Sequence, residues 1–209
     1  MHANIIAIQV LCCIVGMPYA VDESESRISD TRHEAPGRES ATYSRLTDVE
    51  LARMTLSPQL KRLVFRDSAV TDAGLAELQG LVNLRFLSMN GAAIRGDGLV
   101  HLKGLLQLRS LSLNDTNLTD KGLEHLFELR QLRTLSLDNT EVTDKGLVHL
   151  KELTKLEWLY LNGTAITDAG LLHLQGLSSL RFITVVNTGA TAAGIARLQE
   201  SIPRVRIRR

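Results

Sequence analysis

The sequence predicts an α/β solenoid, a curved parallel sheet backed by one helix per repeat. Two observations carry that expectation. From Leu60 to Pro203 the chain repeats itself every 24 residues, in six units with no insertion or deletion. Within each unit the apolar residues change period, from two in the first half to three in the second. A period of two is that of a strand with alternate side chains facing a core. A stripe at three- to four-residue intervals is that of a helix.

The units are 60–83, 84–107, 108–131, 132–155, 156–179 and 180–203. Two of them read LRTLSLDNTEVTDKGLVHLKELTK (132–155) and LEWLYLNGTAITDAGLLHLQGLSS (156–179). Each opens L-x-x-L-x-L, or a close variant, with inward apolar residues at the fourth and sixth places, such as Leu135 and Leu137. A short polar turn follows, and then a helical half, Thr143 to Leu153. Thr143 suits an N-cap, and Asp144 suits the positive end of the helix. Leu147, Leu150 and Leu153 form one stripe, and Gly146 is expected to let the helix approach the strand layer. One strand and one helix cannot bury their own apolar faces, but stacked copies can. The helix is also the crossover that parallel strands require. Ser68, Thr116, Thr140, Thr164 and Thr188 share the ninth place of their units, which Ala92 fills in unit 84–107. Their hydroxyls are expected to bond main-chain groups left free in the turn.

These units resemble leucine-rich repeats of the L-x-x-L-x-L…T-x-[VI]-T-D-x-G-L type, known from exported bacterial leucine-rich repeat proteins and related to the repeats of F-box proteins. The resemblance covers Leu60 to Pro203. It implies a protein-binding scaffold rather than a catalyst. It departs from many such repeats at the ninth place, where Asn or Cys is common. Both ends look capped. Leu46 to Leu51 matches the helical half of a unit, and Thr47 and Glu50 have capping-box spacing. Arg204 to Ile207 matches the start of a seventh strand, with Val205 and Ile207 inward. The expected domain therefore runs 46–209: an N-terminal cap (46–59), six repeats (60–203) and a terminal cap strand (204–209).

Ahead of it lie two other segments. Asn4 to Met17 is apolar apart from Asn4 and Gln9. At about 14 residues it is short for a membrane helix and right for the core of a signal peptide. Cleavage after Ala20 gives a signal peptide of 1–20 and export to periplasm, cell surface or medium, with no stable membrane span afterwards. A lipid anchor on Cys12 or Cys13 is the lesser alternative. Residues 21–45 are rich in Ser, Asp, Glu and Arg, with Pro36-Gly37 among them, and read as a flexible linker.

Composition narrows the chemistry. Net charge is +1, which favours no nucleic acid partner. The only cysteines are Cys12 and Cys13, so the repeat domain holds no disulfide or thiolate metal site. His101, His125, His149 and His173 recur at one repeat position, but on successive helices about 8–10 Å apart. No i+4 partner accompanies any of them, so no metal or other cofactor is expected. The sequons at Asn114, Asn117 and Asn162 arise from the repeat pattern itself. Arg95-Gly96-Asp97 occupies the places of Thr71-Asp72-Ala73 in the preceding unit, so it reads as a degraded helix start and not as an adhesion signal. With no nucleophile elbow, phosphate loop or Cys/His cluster, the chain is expected not to be an enzyme.

Function is expected on the strand face. The third and fifth places of each unit point away from the core. The third-place residues run Arg62, Phe86, Ser110, Thr134, Trp158, Phe182, and the fifth-place residues Val64, Ser88, Ser112, Ser136, Tyr160, Thr184. Although aromatics make up only 4% of the chain, Phe86, Trp158, Tyr160 and Phe182 all fall here. Trp and Tyr are enriched in binding hot spots. The candidate protein-binding set is Arg62, Phe86, Trp158, Tyr160 and Phe182, extended by Val186 and rimmed by Asn162. The expected function is an exported, monomeric scaffold that binds a protein partner on its concave face. The alternatives are a substrate-recruiting adaptor of the F-box kind and a structural envelope or surface protein.

Overall fold

A computed structural model describes residues 37–209. The expected signal peptide and residues 21–36 of the expected linker lie outside the described residues. Eight strands form one parallel sheet in chain order: β1 (Ser40–Ser44), β2 (Arg62–Arg66), β3 (Phe86–Ser88), β4 (Ser110–Ser112), β5 (Thr134–Ser136), β6 (Trp158–Tyr160), β7 (Phe182–Thr184) and β8 (Arg206–Arg208). From β2 onward every strand pairs with the residue one repeat away: Leu63 faces Leu87, and Leu135 faces Leu159. The terminal strand expected from Val205 and Ile207 is β8, which pairs with β7.

The linker was expected to extend to Arg45, and here the structure differs, because residues 40–44 are β1. Inside that polar stretch Ala41 and Tyr43 alternate with Ser40, Thr42 and Ser44, the period of a half-buried strand. Both are buried, and Tyr43 stacks on Phe65 with ring centroids 6.3 Å apart. The capping box expected at Thr47 and Glu50 is present at the start of helix Asp48–Ala52.

Four of the helical halves are tighter than a regular α-helix, whereas Asp168–Leu172 is α. Asp72–Leu78 and Asp97–Leu102 are 3-10 helices, while Asp120–Leu123 and Asp144–Leu147 are single α turns that continue as 3-10 over Glu124–Leu126 and Val148–Glu152. The leucine spacing favours this without dictating it, since Leu171, Leu174 and Leu177 keep the same interval beside the α turn Asp168–Leu172. An interval of three, as in Leu147, Leu150 and Leu153, matches three residues per turn better than 3.6. The last helix, Ala192–Ser201, carries Ile195, Leu198 and Ile202 at intervals of three and four and is α throughout. One apolar cluster runs the length of the solenoid, from Ala41 to Val205, and the repeat leucines within it are buried.

The T-D-x-G motif joins repeats to one another. The Asp120 carboxylate accepts from the Thr143 main-chain N–H and from its hydroxyl, both at 2.7 Å. Asp48 does the same for Thr71, Asp144 for Thr167 and Asp168 for Thr191. This corrects the expectation for Gly146. A Cβ there would collide with Asp120 Oδ1 of the preceding repeat, so the glycine makes room for a neighbouring carboxylate and not for the strand layer. Hydrogen bonds to Thr191 hold the Asp168 carboxyl below the usual carboxylate range.

The ladder breaks once, at Arg95-Gly96-Asp97. Gly96 stands where the ladder needs an Asp, with φ +122°, and a Cβ on it would meet the Gly122 backbone. Asp72 instead accepts from the N–H groups of Arg95, Gly96 and Gly98, and Thr119 turns to the Arg95 carbonyl. Asp97 pairs with Lys121 at 2.8 Å on the surface, and that contact lowers its pKa. Gly96 is buried at the N-cap of a 3-10 helix, so the tripeptide is part of a helix start.

A second ladder runs along the turns after the strands. Asn90 Oδ1 accepts from Asn114 N–H, Asn114 Oδ1 from Asp138 N–H, Asp138 Oδ1 from Asn162 N–H and Asn162 Oδ1 from Val186 N–H. Beside it, Thr116, Thr140, Thr164 and Thr188 donate their hydroxyls to the carbonyls three residues earlier, as the ninth-place pattern predicts.

Asp138 is the one carboxylate in this Asn row. Burial raises its pKa from the ordinary 3.8, against the lowering effect of the Asn162 N–H. A carboxyl with a raised folded pKa binds its proton more tightly in the folded state. Its stability contribution is therefore present below the unfolded pKa and is lost as pH rises through the folded one. Asp138→Asn keeps the acceptor and removes the charge. It is expected to stabilise the protein at neutral pH by about 0.5–1 kcal/mol, at the low end for consensus-type changes because the side chain is partly exposed. The gain should vanish when pH falls below the carboxylate range. Thermal unfolding of both proteins across that range checks it.

Candidate interaction surface

The strand face presents the third- and fifth-place residues of each repeat, and register fixes which of them meet. Trp158 on β6 is level with Phe182 on β7, and Tyr160 with Thr184. The Trp158 and Phe182 rings lie 5.6 Å apart at 49°, and Tyr160 meets Phe182 edge-on at 6.0 Å and 61°. These geometries are favourable for aromatic pairs. The structure thus brings together three of the expected site residues.

Two others form a separate group. The Arg62 guanidinium sits 4.0 Å above the Phe86 ring, a cation–π contact between β2 and β3. Strands β4 and β5 separate the two groups and present only Ser110, Ser112, Thr134 and Ser136.

The face is less open than its alternation suggests. Tyr160, expected to face solvent, is 9% exposed, and Val64, Ser88, Ser110 and Thr184 are buried as well. Neighbouring strands stand about 4.8 Å apart, so a large side chain on one covers the next. Phe182 covers Tyr160 in this way. Trp158, Phe182, Phe86, Arg62 and Val186 remain half-exposed. Asn162, expected as a polar rim, holds the Val186 N–H at 2.9 Å with its amide oxygen and so belongs to the turn ladder.

Between Phe86 and Trp158 lies a depression of about 460 Å³, floored by Ser110 and Thr134. Its edge is formed by Arg85, Arg109, Arg133 and Glu157. These second-place residues were not among the expected site residues. Their signal is visible in the sequence as the recurring Leu-Arg that opens units 84–107, 108–131, 132–155 and 180–203. Glu157 takes Arg133 at 2.6 Å and Arg181 at 3.8 Å. At the far end, β8 sets Arg206 level with Phe182 and Arg208 level with Thr184.

Among the described residues, no three of His, Cys, Asp and Glu stand close enough to hold a metal ion. His101 contacts Gln79 and His149 lies 3.8 Å from Glu124, both along the helical side. No described helix is long and apolar enough to cross a membrane.

A family model for leucine-rich repeats matches residues 107–127, within the run of repeats that builds this sheet. The chain folds as a leucine-rich repeat protein. Among solved structures, this leucine-rich repeat solenoid is similar to internalin C2 of Listeria monocytogenes, with a TM-score of 0.67 and 22% identity, over 81% of this chain and 69% of that one. It is also similar to a leucine-rich repeat protein of Leptospira interrogans, with a TM-score of 0.61 and 20% identity, over 76% of this chain and 38% of that one. At these identities the likeness establishes the fold. A search of curated proteins finds no match to the sequence.

Proposed function

We propose that this leucine-rich repeat protein is an exported, non-enzymatic scaffold that binds a protein partner on its strand face. The observation that carries the reading is the Trp158–Phe182–Tyr160 cluster. Three aromatic rings gather on the side of the sheet that has no helix layer, and two of them stay half-exposed. A preformed apolar anchor of this kind binds with little ordering cost. Phe86 and Arg62 supply a second contact beyond the small polar floor, and Val186 extends the cluster. Export rests on the apolar run 4–17 and the small residue Ala20.

Trp158→Ala and Phe182→Ala test the reading, because both side chains are accessible and neither belongs to the leucine core. Tyr160 is unsuitable as the lead substitution, since its burial would mix folding with binding. Partner capture from the native source, with each variant beside the parent protein, should weaken by about 2 kcal/mol or more per substitution. Circular dichroism should be unchanged. Equal capture by all three proteins would remove the strand face as the binding site.

A further inference from the structure

We propose that the partner offers carboxylates, and that Arg85 and Arg109 receive them along the edge of the strand face; this rests on the protein-binding reading above. Strands β3, β4 and β5 are in register, so Arg85, Arg109 and Arg133 stand in a row, one residue before Phe86, Ser110 and Thr134. Neighbours in the row are separated by about one strand spacing, 4.8 Å, where like charges repel.

At both ends of the row the charge is compensated. Lys61 pairs with Glu39, and Glu157 lies between Arg133 and Arg181. In the middle it is not. Arg85 and Arg109 are exposed and pair with no carboxylate among the described residues. The surplus is local, because the whole chain carries a net charge of only +1.

Both arginines border the depression between Phe86 and Trp158, where small Ser110 and Thr134 side chains leave room for a partner main chain. A guanidinium fork matches a carboxylate geometrically and binds it more strongly than a neutral acceptor. Phosphates would satisfy the same groups, but single-stranded nucleic acid also needs open aromatic faces for its bases. Here the Phe86 face is taken by Arg62, and the half-exposed Trp158 and Phe182 rings are tilted against each other rather than standing apart as successive stacking platforms. An acidic stretch of protein with an apolar neighbour for the aromatic cluster fits both features.

The test is to pan a random displayed peptide library against the full chain, then measure the selected peptides by fluorescence anisotropy at low and high salt. The expected result is enrichment in Asp and Glu, with binding to Arg85→Gln/Arg109→Gln weaker by roughly tenfold or more. The folding midpoint of that variant should be unchanged or higher, since a repulsion has been removed. No acidic enrichment, or unchanged affinity of the variant, would overturn the proposal. If the same peptides still required Trp158 and Phe182, the strand-face reading would stand without it. Tight binding of oligothymidylate that the double substitution abolishes would also overturn it, assigning the row to nucleic acid. So would tighter peptide binding after Asp22→Asn/Glu23→Gln/Glu25→Gln, which would make the chain's own acidic segment the occupant.

Discussion

Leu135→Ala is expected to lower stability by about 2–5 kcal/mol, whereas Thr134→Ala, one residue earlier, should change it by less than about 0.5 kcal/mol. Leu135 is fully buried and lies between Leu111 and Leu159 on the adjoining strands. Truncation there removes apolar contact and leaves a cavity that two fixed neighbours cannot close. The position is also central. A solenoid holds together through contacts between successive repeats, so a defect in the middle weakens the coupling of both halves. Thr134 projects to the strand face and is half-buried. Urea unfolding midpoints separate the two cases, and equal midpoints would mean that the inward and outward assignment of the strands is wrong.

Gly146→Ala should be the next most damaging change, and its sign is informative. In an ordinary helix, replacing Gly by Ala stabilises by roughly 0.5–1 kcal/mol. At Gly146 the added Cβ would overlap the Asp120 carboxylate, which is fixed by two hydrogen bonds from Thr143. Either that pair separates or the two repeats move apart, at a cost of about 1–3 kcal/mol. Gly104→Ala is the control. A Cβ there meets nothing within 4 Å, and the backbone is not in the left-handed region. It should be neutral or slightly stabilising. Thermal unfolding of the two variants would show opposite shifts if Gly146 acts as a spacer between repeats. Matching shifts would reduce it to a matter of helix propensity.

Most of the fold could be read from the sequence, because the repeat states each packing rule six times. The alternation in LRTLSL specifies β5 and its inward Leu135, and the same pattern aligned every strand from β2 to β8. What could not be read has identifiable causes. Strand β1 is hidden because Ala41 and Tyr43 are a weak alternation inside a polar stretch, and no repeat motif marks them. The 3-10 geometry was implicit in the three-residue leucine interval, but the T-D-x-G start pointed equally to an α-helix. The role of Gly146 depends on a contact with Asp120 in another repeat, which no local pattern reveals.

For the binding surface, register correctly implied that Trp158 and Phe182 would be neighbours. Side-chain alternation alone does not report how far adjacent strands cover each other, and so it overstated the exposure of Tyr160. The arginine row was recurrent in sequence but sat one place before the positions that alternation marks as solvent-facing. Its relation to the depression beside Phe86 and Trp158 emerged only from the stacked repeats.

Recognition through the strand face is tested most directly by photo-crosslinking in the native source. Benzoylphenylalanine would replace Phe182 on the strand face in one protein and Phe127, an exposed residue on the helical side, in another. Both substitutions keep an aromatic ring in place. The expected result is a covalent adduct with a partner protein from position 182 and none from position 127. An adduct from position 127 alone, or equal adducts from both, would contradict recognition through the strand face.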